Sequence, residues 1–470
     1  MLYIPVAGSN IVGWVALSGY CSLYPALWAA FCWWLFPGKP ESAGSQVAAM
    51  DWRQRLGWGA SCAVAWVAME CLRGWVITGF PWNYLGGSQL DWTSLAMLAQ
   101  FTGVLGVSLV VAWGSVGGLL VFWRWREQDR FEPAVLKDLA GPAALLLVAL
   151  GLGQWALSQP LAERRGSLKI ALVQPAIPQT VLWNINDPVS QADRFEHMMN
   201  LSDRAVAKEP DLLVWPEASL PPFWVLNPTN VIQRMGQLEQ AIAEQGVWRV
   251  WGADTATNNV PYNSAVLVPP EDSFLGGLKE MKWPNYAKRH LVMFGEYIPL
   301  GEVFPALYGL LPISALAPGT SDIRFEIDGV QFSPNICFES TVPHRIRKMM
   351  NTVDANQRRP DVMLNLTNDG WFWGSSMLDL HLRSNVMRAV EMRRPNLVAA
   401  NTGISAWIST TGEILSSVEK KEAGFVIAKV GRSVTDSFYL NNGDLFAILC
   451  GLIALASLGK SLASQTRKPT

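Results

Sequence analysis

Glu217, Lys288 and Cys337 are the residues whose types and settings could do chemistry. Glu217 stands in Leu212-Leu213-Val214-Trp215-Pro216-Glu217-Ala218-Ser219, an apolar run that enters a proline and then a carboxylate. Lys288 lies in Asn285-Tyr286-Ala287-Lys288-Arg289-His290-Leu291-Val292-Met293-Phe294-Gly295-Glu296-Tyr297-Ile298-Pro299, where cations and a carboxylate sit among aromatics. Cys337 stands in Asn335-Ile336-Cys337-Phe338-Glu339-Ser340, a second apolar run with a polar end. A thiol of ordinary pKa, ~8.5, is mostly protonated at neutral pH and needs a base or cation before it attacks a carbonyl carbon. Glu217 can take that proton. Lys288, helped by main-chain N–H groups such as that of Phe338, can hold the negative charge that develops on the carbonyl oxygen.

Each segment alone has a plainer reading. A Glu after a strand is commonly a loop charge or a helix-start charge, a cation–carboxylate cluster on a surface contributes little, and most free cysteines are small buried hydrophobes. The cysteine distribution favours chemistry. Cys21, Cys32, Cys62, Cys71 and Cys450 fall in or beside apolar segments, and between residues 165 and 440 Cys337 stands alone. It therefore has no internal disulfide partner there and no paired spacing for zinc. The histidines, His197, His290, His344 and His381, lack metal-ligand spacing as well. A Cys–His site would need one of them beside Cys337; His381, which follows Asn368-Asp369-Gly370-Trp371-Phe372, reads first as a structural histidine or a lining of the acceptor side.

The elements that must position these residues divide the chain in two. Hydrophobic residues make up 50% of the 470, charged residues only 16%, and Trp occurs 23 times, which fits a chain in contact with a bilayer and its interface. A net charge of −1 leaves no basic excess to neutralise a polyanion, so nucleic acid is not an expected partner. Apolar segments of spanning character run over Ile11–Phe36, Trp58–Thr78, Leu95–Trp123, Ala140–Leu157 and Leu445–Leu458, the last two short. If all of them span, Lys39, Arg53 and Arg55, then Arg124, Arg126, Arg130 and Lys137, then Lys460, Arg467 and Lys468 fall on one side, which the positive-inside rule makes cytoplasmic. Residues 160–443 then face the other side, with Arg164 and Arg165 against the rule. The N-terminus lacks the basic region of a cleavable signal, so the first span is expected to direct insertion.

Between about residues 160 and 440 short β-rich runs alternate with amphipathic helices. The predicted strands are Leu168–Val173, Asp211–Trp215, Trp248–Gly252, Ser264–Val268, Phe332–Cys337, Val362–Leu366, Asn396–Ala400 and Gly424–Val430. The predicted helices are Val189–Ala207, Val231–Glu244 and Leu380–Arg393. That alternation argues for a layered α/β or α+β domain. Val303–Pro318, with Phe304, Leu307, Tyr308, Leu310, Leu311, Ile313 and Leu316, is more apolar than a solvent loop should be and reads equally as a lid toward a bilayer or as a core helix.

Taken in order, the segments around Glu217, Lys288 and Cys337 resemble the nitrilase, or carbon-nitrogen hydrolase, superfamily, and with the spans the chain resembles its membrane branch, the apolipoprotein N-acyltransferases. Gly79-Phe80-Pro81-Trp82-Asn83 and Asn368-Asp369-Gly370-Trp371-Phe372 carry the resemblance further. It implies a transmembrane helical bundle joined to a four-layer αββα extracytoplasmic domain: residues 1–160 with four helices, 161–440 the nitrilase-like catalytic domain, 441–470 a last span and cytoplasmic tail. It implies a phospholipid acyl donor, a Cys337 thioester and a diacylglyceryl apolipoprotein acceptor, in a monomer of the bacterial inner membrane with its catalytic domain on the periplasmic side. Cys337 is then the nucleophile, Glu217 the base and Lys288 the oxyanion stabiliser, with Glu296, Glu339, Phe338, Asn368 and Trp371 in support and Trp183 handling substrate. No metal or diffusible cofactor is implied. A membrane-tethered amidase acting on a soluble amide is the alternative, since the same triad serves water as acceptor. The chain departs from the family in fewer spans, Phe338 where Tyr is common, and Trp373 where Gly is usual.

Overall fold

The computed structural model describes residues 9–36, 47, 50–128, 133–159, 163–179, 182, 188–220, 232–270, 283–301, 303–304, 306, 315–372, 375–433 and 435–466. Its longer helices are α1 (Ser9–Trp34), α2 (Trp52–Arg73), α3 (Val104–Gln128), α4 (Ala140–Ser158), α5 (Pro188–Val206), α6 (Ile232–Gln245), α7 (Pro343–Met350), α8 (Met377–Met392) and α9 (Leu445–Thr466). The chain forms two compact units, one from Gly8–Pro160 with Asp436–Thr470 and the other centred on Leu161–Thr435.

In the helical unit, Ile11–Trp34, Val104–Glu127, Leu136–Ser158 and Leu445–Ala463 are long and apolar enough to cross a bilayer. Large side chains along them stand exposed, among them Ile11 at 68%, Leu147 at 70% and Leu455 at 66%. In water each would forfeit about 1.5–3 kcal/mol of burial; facing hydrocarbon they cost nothing, and these helices mark a membrane protein. Two sequence expectations change. The expected second span, Trp58–Thr78, falls on α2, but Arg53, Arg55, Glu70 and Arg73 make that helix too polar for the apolar set. The expected Leu95–Trp123 span is broken: Thr93–Ala96 and Ala99–Thr102 are single helical turns, and Gly103 at φ 67° interrupts the chain before α3 begins. Arg55 and Arg124, placed by the sequence among the cytoplasmic-side charges, are buried against Asp138, with Arg55 Nε 2.8 Å and Arg124 Nη1 3.1 Å from its two oxygens. Spacing along a chain does not reveal that a charge on one helix meets its partner on another.

The second unit is built on two six-stranded sheets. The first has the order β12-β1-β2-β3-β4-β5, from Gly424–Ser433, Glu163–Gln174, Leu212–Val214, Trp248–Thr257, Val260–Val268 and Asn285–Ala287. The second has the order β11-β10-β9-β8-β7-β6, from Ile414–Ser417, Ala406–Ile408, Asn396–Ala400, Val362–Thr367, Val330–Ile336 and Phe325–Ile327. Parallel pairs, β1 with β2, β2 with β3, β7 with β8 and β8 with β9, form the middle of each sheet and antiparallel strands its edges. Parallel strands are apolar on both faces because both are covered. β2, β7, β8 and β9 are accordingly buried at every position. α5 and α6 cover the first sheet through Phe195, Met198, Leu201, Leu238 and Ile242, packed with Val173, Leu213, Trp215 and Trp251. The expected strands and helices of this unit are all present. The strands β5, β6, β10 and β11, and the helix α7, are short elements the sequence pattern did not reveal.

Candidate active site

Glu217, Lys288 and Cys337 each follow the carboxyl end of a strand, where open sheets collect ligands. β2 ends at Val214, and the chain stays beside β3 through Trp215 N to Val250 O at 2.8 Å and Ser219 N to Gly252 O at 2.9 Å, which aims Glu217. Lys288 follows β5 and is fixed by its own N–H on Asn263 O at 2.7 Å and its carbonyl under Gly319 N at 2.8 Å. Cys337 follows β7 and opens a 3-10 turn, Cys337–Thr341, with φ at 51°. A left-handed residue with a Cβ costs about 1–2 kcal/mol, and strain of this kind collects at functional sites.

Glu217 is 8% exposed and Lys288 1%. Lys288 Nζ lies 2.7 Å from Glu296 Oε1 and 3.5 Å from Glu217 Oε1. Asn263 Nδ2 on β4 donates to both carboxylates, at 2.6 Å to Glu217 Oε1 and 3.1 Å to Glu296 Oε1. Main-chain donors complete the pair: Asn368 N to Glu217 Oε2 at 2.7 Å, and Val292 N to Glu296 Oε2 at 2.8 Å. Burial raises the Glu217 pKa above the usual carboxylate range, against the pull of the Lys288 ammonium. For Lys288 burial acts downward, but Glu296 and Glu217 outweigh it and the ammonium is held. Burial, then the Glu217 charge, pushes the Cys337 thiol well above its ordinary value while Lys288 pulls it down, so at rest the sulfur keeps its proton. Asp254, on β3 and in register with Asn263, is a further carboxyl in this field, pushed up to about 6 by burial and by the Glu217 and Glu296 charges.

Glu339 fastens the cysteine turn to the lysine loop. Its carboxylate is fully buried and accepts from Ile336 N at 2.9 Å, Arg289 N and His290 N at 3.0 Å each, and Tyr286 OH at 2.7 Å. Phe338 is half-buried with its ring 5.6 Å from that of His290. Asn368 joins the site by its N–H, while its side chain is held by Gln179 and Asn401 at 3.0 Å each. Trp371 is half-buried in the turn Asp369–Phe372. Trp183 lies outside the described residues, as do Leu307, Tyr308, Leu310, Leu311 and Ile313 of the expected lid; Phe304 is described and is 57% exposed.

Asn263, Asp254 and Asp369 belong to the site and were not singled out in the sequence, although a polar Asn263-Ser264 pair inside an apolar strand was a signal. His381 is not a lining group: it lies under the cysteine turn, 2% exposed, with Nε2 3.1 Å from the Cys337 carbonyl oxygen. Among the described residues no group of three or more His, Cys, Asp or Glu is arranged to hold a metal ion. The arrangement supplies a thiol, a buried carboxylate base and a fixed cation, the inventory for acyl substitution through a covalent intermediate.

Comparison with known proteins agrees along the chain. Residues 169–439 match the model of the carbon-nitrogen hydrolase family and residues 2–117 that of the apolipoprotein N-acyltransferase N-terminal domain. The apolipoprotein N-acyltransferase of Geobacter metallireducens is 32% identical over 412 residues, covering 87% of this chain and 74% of that protein. That of Bordetella bronchiseptica is 29% identical, covering all of this chain and 83% of that protein. A carbon-nitrogen hydrolase superfamily protein of Xanthomonas campestris, whose structure is solved, is 18% identical and overlays with a TM-score of 0.39 on 57% of this chain and 91% of its own.

Proposed function

The chain belongs to the apolipoprotein N-acyltransferase family, within the carbon-nitrogen hydrolases, and from that premise we propose that it moves a fatty acyl chain from a phospholipid to an apolipoprotein. The acceptor is the N-terminal amine of an S-diacylglyceryl cysteine, and the acyl group passes through a thioester on Cys337. The observation that carries this reading is the meeting of Cys337, Glu217 and Lys288 in one electrostatic cluster, in a chain with four helices of membrane-spanning character among its described residues.

Glu217 takes the Cys337 proton as Sγ attacks the donor ester carbonyl. Its raised pKa makes it a stronger base than an ordinary carboxylate, which eases the transfer. The Lys288 ammonium and the Phe338 N–H receive the oxyanion. Collapse expels the lysophospholipid oxygen, which recovers the proton from Glu217. The neutral acceptor amine then attacks the thioester, Glu217 takes its proton, and the departing sulfur receives that proton back. Asn263, Glu296 and Asn368 hold Glu217 and Lys288 in place throughout. Taking α2 as a span beside the four apolar helices, we place the catalytic unit on the periplasmic side of the bacterial inner membrane, on the distribution of Lys39, Arg53, Arg126, Arg130, Lys137, Lys460, Arg467 and Lys468.

Intact-mass analysis of the purified protein with phospholipid tests the reading. The wild type should gain a fatty-acyl mass and Cys337→Ala should not; Glu217→Gln should also fail to gain it. No adduct on either protein, together with hydrolysis of a soluble amide, would replace this proposal with that of a membrane-tethered amidase.

A further inference from the structure

The cysteine turn rests on a buried dyad outside the triad. The main-chain carbonyl of Cys337 accepts from Ser340 Oγ at 3.1 Å and Asn365 Nδ2 at 3.4 Å, and His381 Nε2 lies 3.1 Å from it. The other ring nitrogen, Nδ1, lies 2.8 Å from Asp369 Oδ1, which also accepts from Thr367 Oγ1 at 3.0 Å. His381 and Asp369 are each 2% exposed. Space for the Asp369 carboxylate depends on Gly403, where a Cβ would fall 2.1 Å from Asp369 Oδ2.

A carboxylate oxygen and a carbonyl oxygen are both acceptors, so a ring between them satisfies both only with a proton on each nitrogen. The Ser340 hydroxyl, 2.9 Å from Nε2, has one proton; given to the Cys337 carbonyl, it leaves a lone pair for the ring N–H. Burial alone would lower the His381 pKa, but the Asp369 charge and hydrogen bond outweigh it and the imidazolium is favoured.

The consequence lies in the peptide plane. The Cys337 carbonyl and the Phe338 N–H belong to one planar unit and point in opposite directions when the bond is trans, and there is no cis peptide bond among the described residues. Whatever fixes the carbonyl fixes the direction of the N–H. We propose that His381, paired with Asp369, is a positioning residue that clamps the Cys337 carbonyl, thereby aims the Phe338 N–H at the developing oxyanion, and cancels the Asp369 charge beside the thiol. Asp369 otherwise raises the cost of charging Cys337. This rests on Cys337 being the nucleophile; it does not depend on which acyl group the site carries.

Two readouts test it on the full-length protein. One is kcat and KM for acyl transfer from phospholipid. The other is the pH profile of Cys337 alkylation by iodoacetamide, followed by peptide mass, which needs no substrate. Ionised groups facing the dyad and thiol are Asp369 from its turn, Glu217 after β2 and Lys288 after β5. His381→Ala should lower kcat roughly 10–10²-fold with KM unchanged, short of outright loss of an oxyanion donor, and move alkylation to higher pH. His381→Gln, which keeps a donor without the charge, should recover part of kcat but not the alkylation profile. Adding Asp369→Asn to His381→Ala should return the alkylation profile without returning kcat. A His381→Ala protein that is merely less heat-stable, with normal kcat and an unmoved alkylation profile, would overturn the proposal. Acyl transfer can fail in wild type while the alkylation shifts persist, so the two proposals fail separately.

Discussion

In the helical unit two guanidinium groups, Arg55 and Arg124, flank one carboxylate, Asp138; in the sheet unit two carboxylates, Glu217 and Glu296, flank one ammonium, Lys288. Both are three-charge clusters withdrawn from water, and with every group ionised one carries a net positive charge and the other a net negative one. Arg55 donates to Asp138 and also to the carbonyls of Val47 and Met50. Guanidinium groups keep their protons, so that cluster can only bind. Around Lys288 every member can exchange a proton, the carboxylates are held by amide and main-chain donors as well as by the cation, and a thiol lies in their field. Burial of charge alone therefore does not separate a structural lock from a catalytic centre. Titratable partners around a nucleophile do.

Breaking the helical cluster should have the largest effect, and on stability only. Asp138→Ala leaves two buried guanidinium groups without their carboxylate, a loss of about 3–5 kcal/mol for a broken buried pair. In detergent the unfolding midpoint should fall while Cys337 alkylation below that midpoint stays at the wild-type rate; an unchanged midpoint would count Asp138 out as a lock. Lys288→Ala should act the other way, on rate more than on fold. Loss of the fixed cation should raise the acylation barrier by roughly 2.7–4 kcal/mol. The same change exposes the sign of the Glu217 shift. In the proposed mechanism its base form is required, and the ammonium holds its pKa down against burial. Without Lys288 the acid limb of kcat/KM should move to higher pH, and a limb that stays in place would show that Glu217 is not the titrating base.

The two clusters were not equally legible in the sequence. Glu217, Lys288 and Cys337 each follow a strongly apolar run, and strand ends in an α/β pattern are where chemistry gathers, so local pattern led to them. Arg55 and Arg124 read only as cytoplasmic-side charges and Asp138 was not singled out, because nothing local says that α2, α3 and the turn Pro133–Leu139 bring the three together. The same reason hid Asn263 and the His381–Asp369 dyad: their partners lie far along the chain, at Glu217 and at Cys337. The eight legible strands stand in apolar or β-rich runs, with β2, β7, β8 and β9 buried at every position; β5, β6, β10 and β11, with three or four residues each, have polar residues close on both sides and no such run around them.

The catalytic cluster should also be breakable without touching a charge, which the helical one should not. On β3, Gly252 passes so near the exit of β2 that a Cβ there would stand 2.3 Å from Pro216 O and 2.5 Å from Glu217 Cα. Both are backbone atoms, so no side chain can rotate aside. Gly252→Ala must push the Pro216–Glu217 segment outward, at a cost of about 1–3 kcal/mol for an overpacked interior. It should also draw Glu217 Oε2 away from the Asn368 N–H that orients it at 2.7 Å. Losing that donor and the Asn263 contact removes hydrogen bonds that favour the charged form, so the acid limb should rise while Lys288 remains in place. A Gly252→Ala protein with a slightly lower midpoint and a raised acid limb would show that close backbone packing, as much as charge pairing, tunes the base. If the midpoint falls and the limb does not move, orientation of Glu217 is set by Lys288 and Asn263 alone.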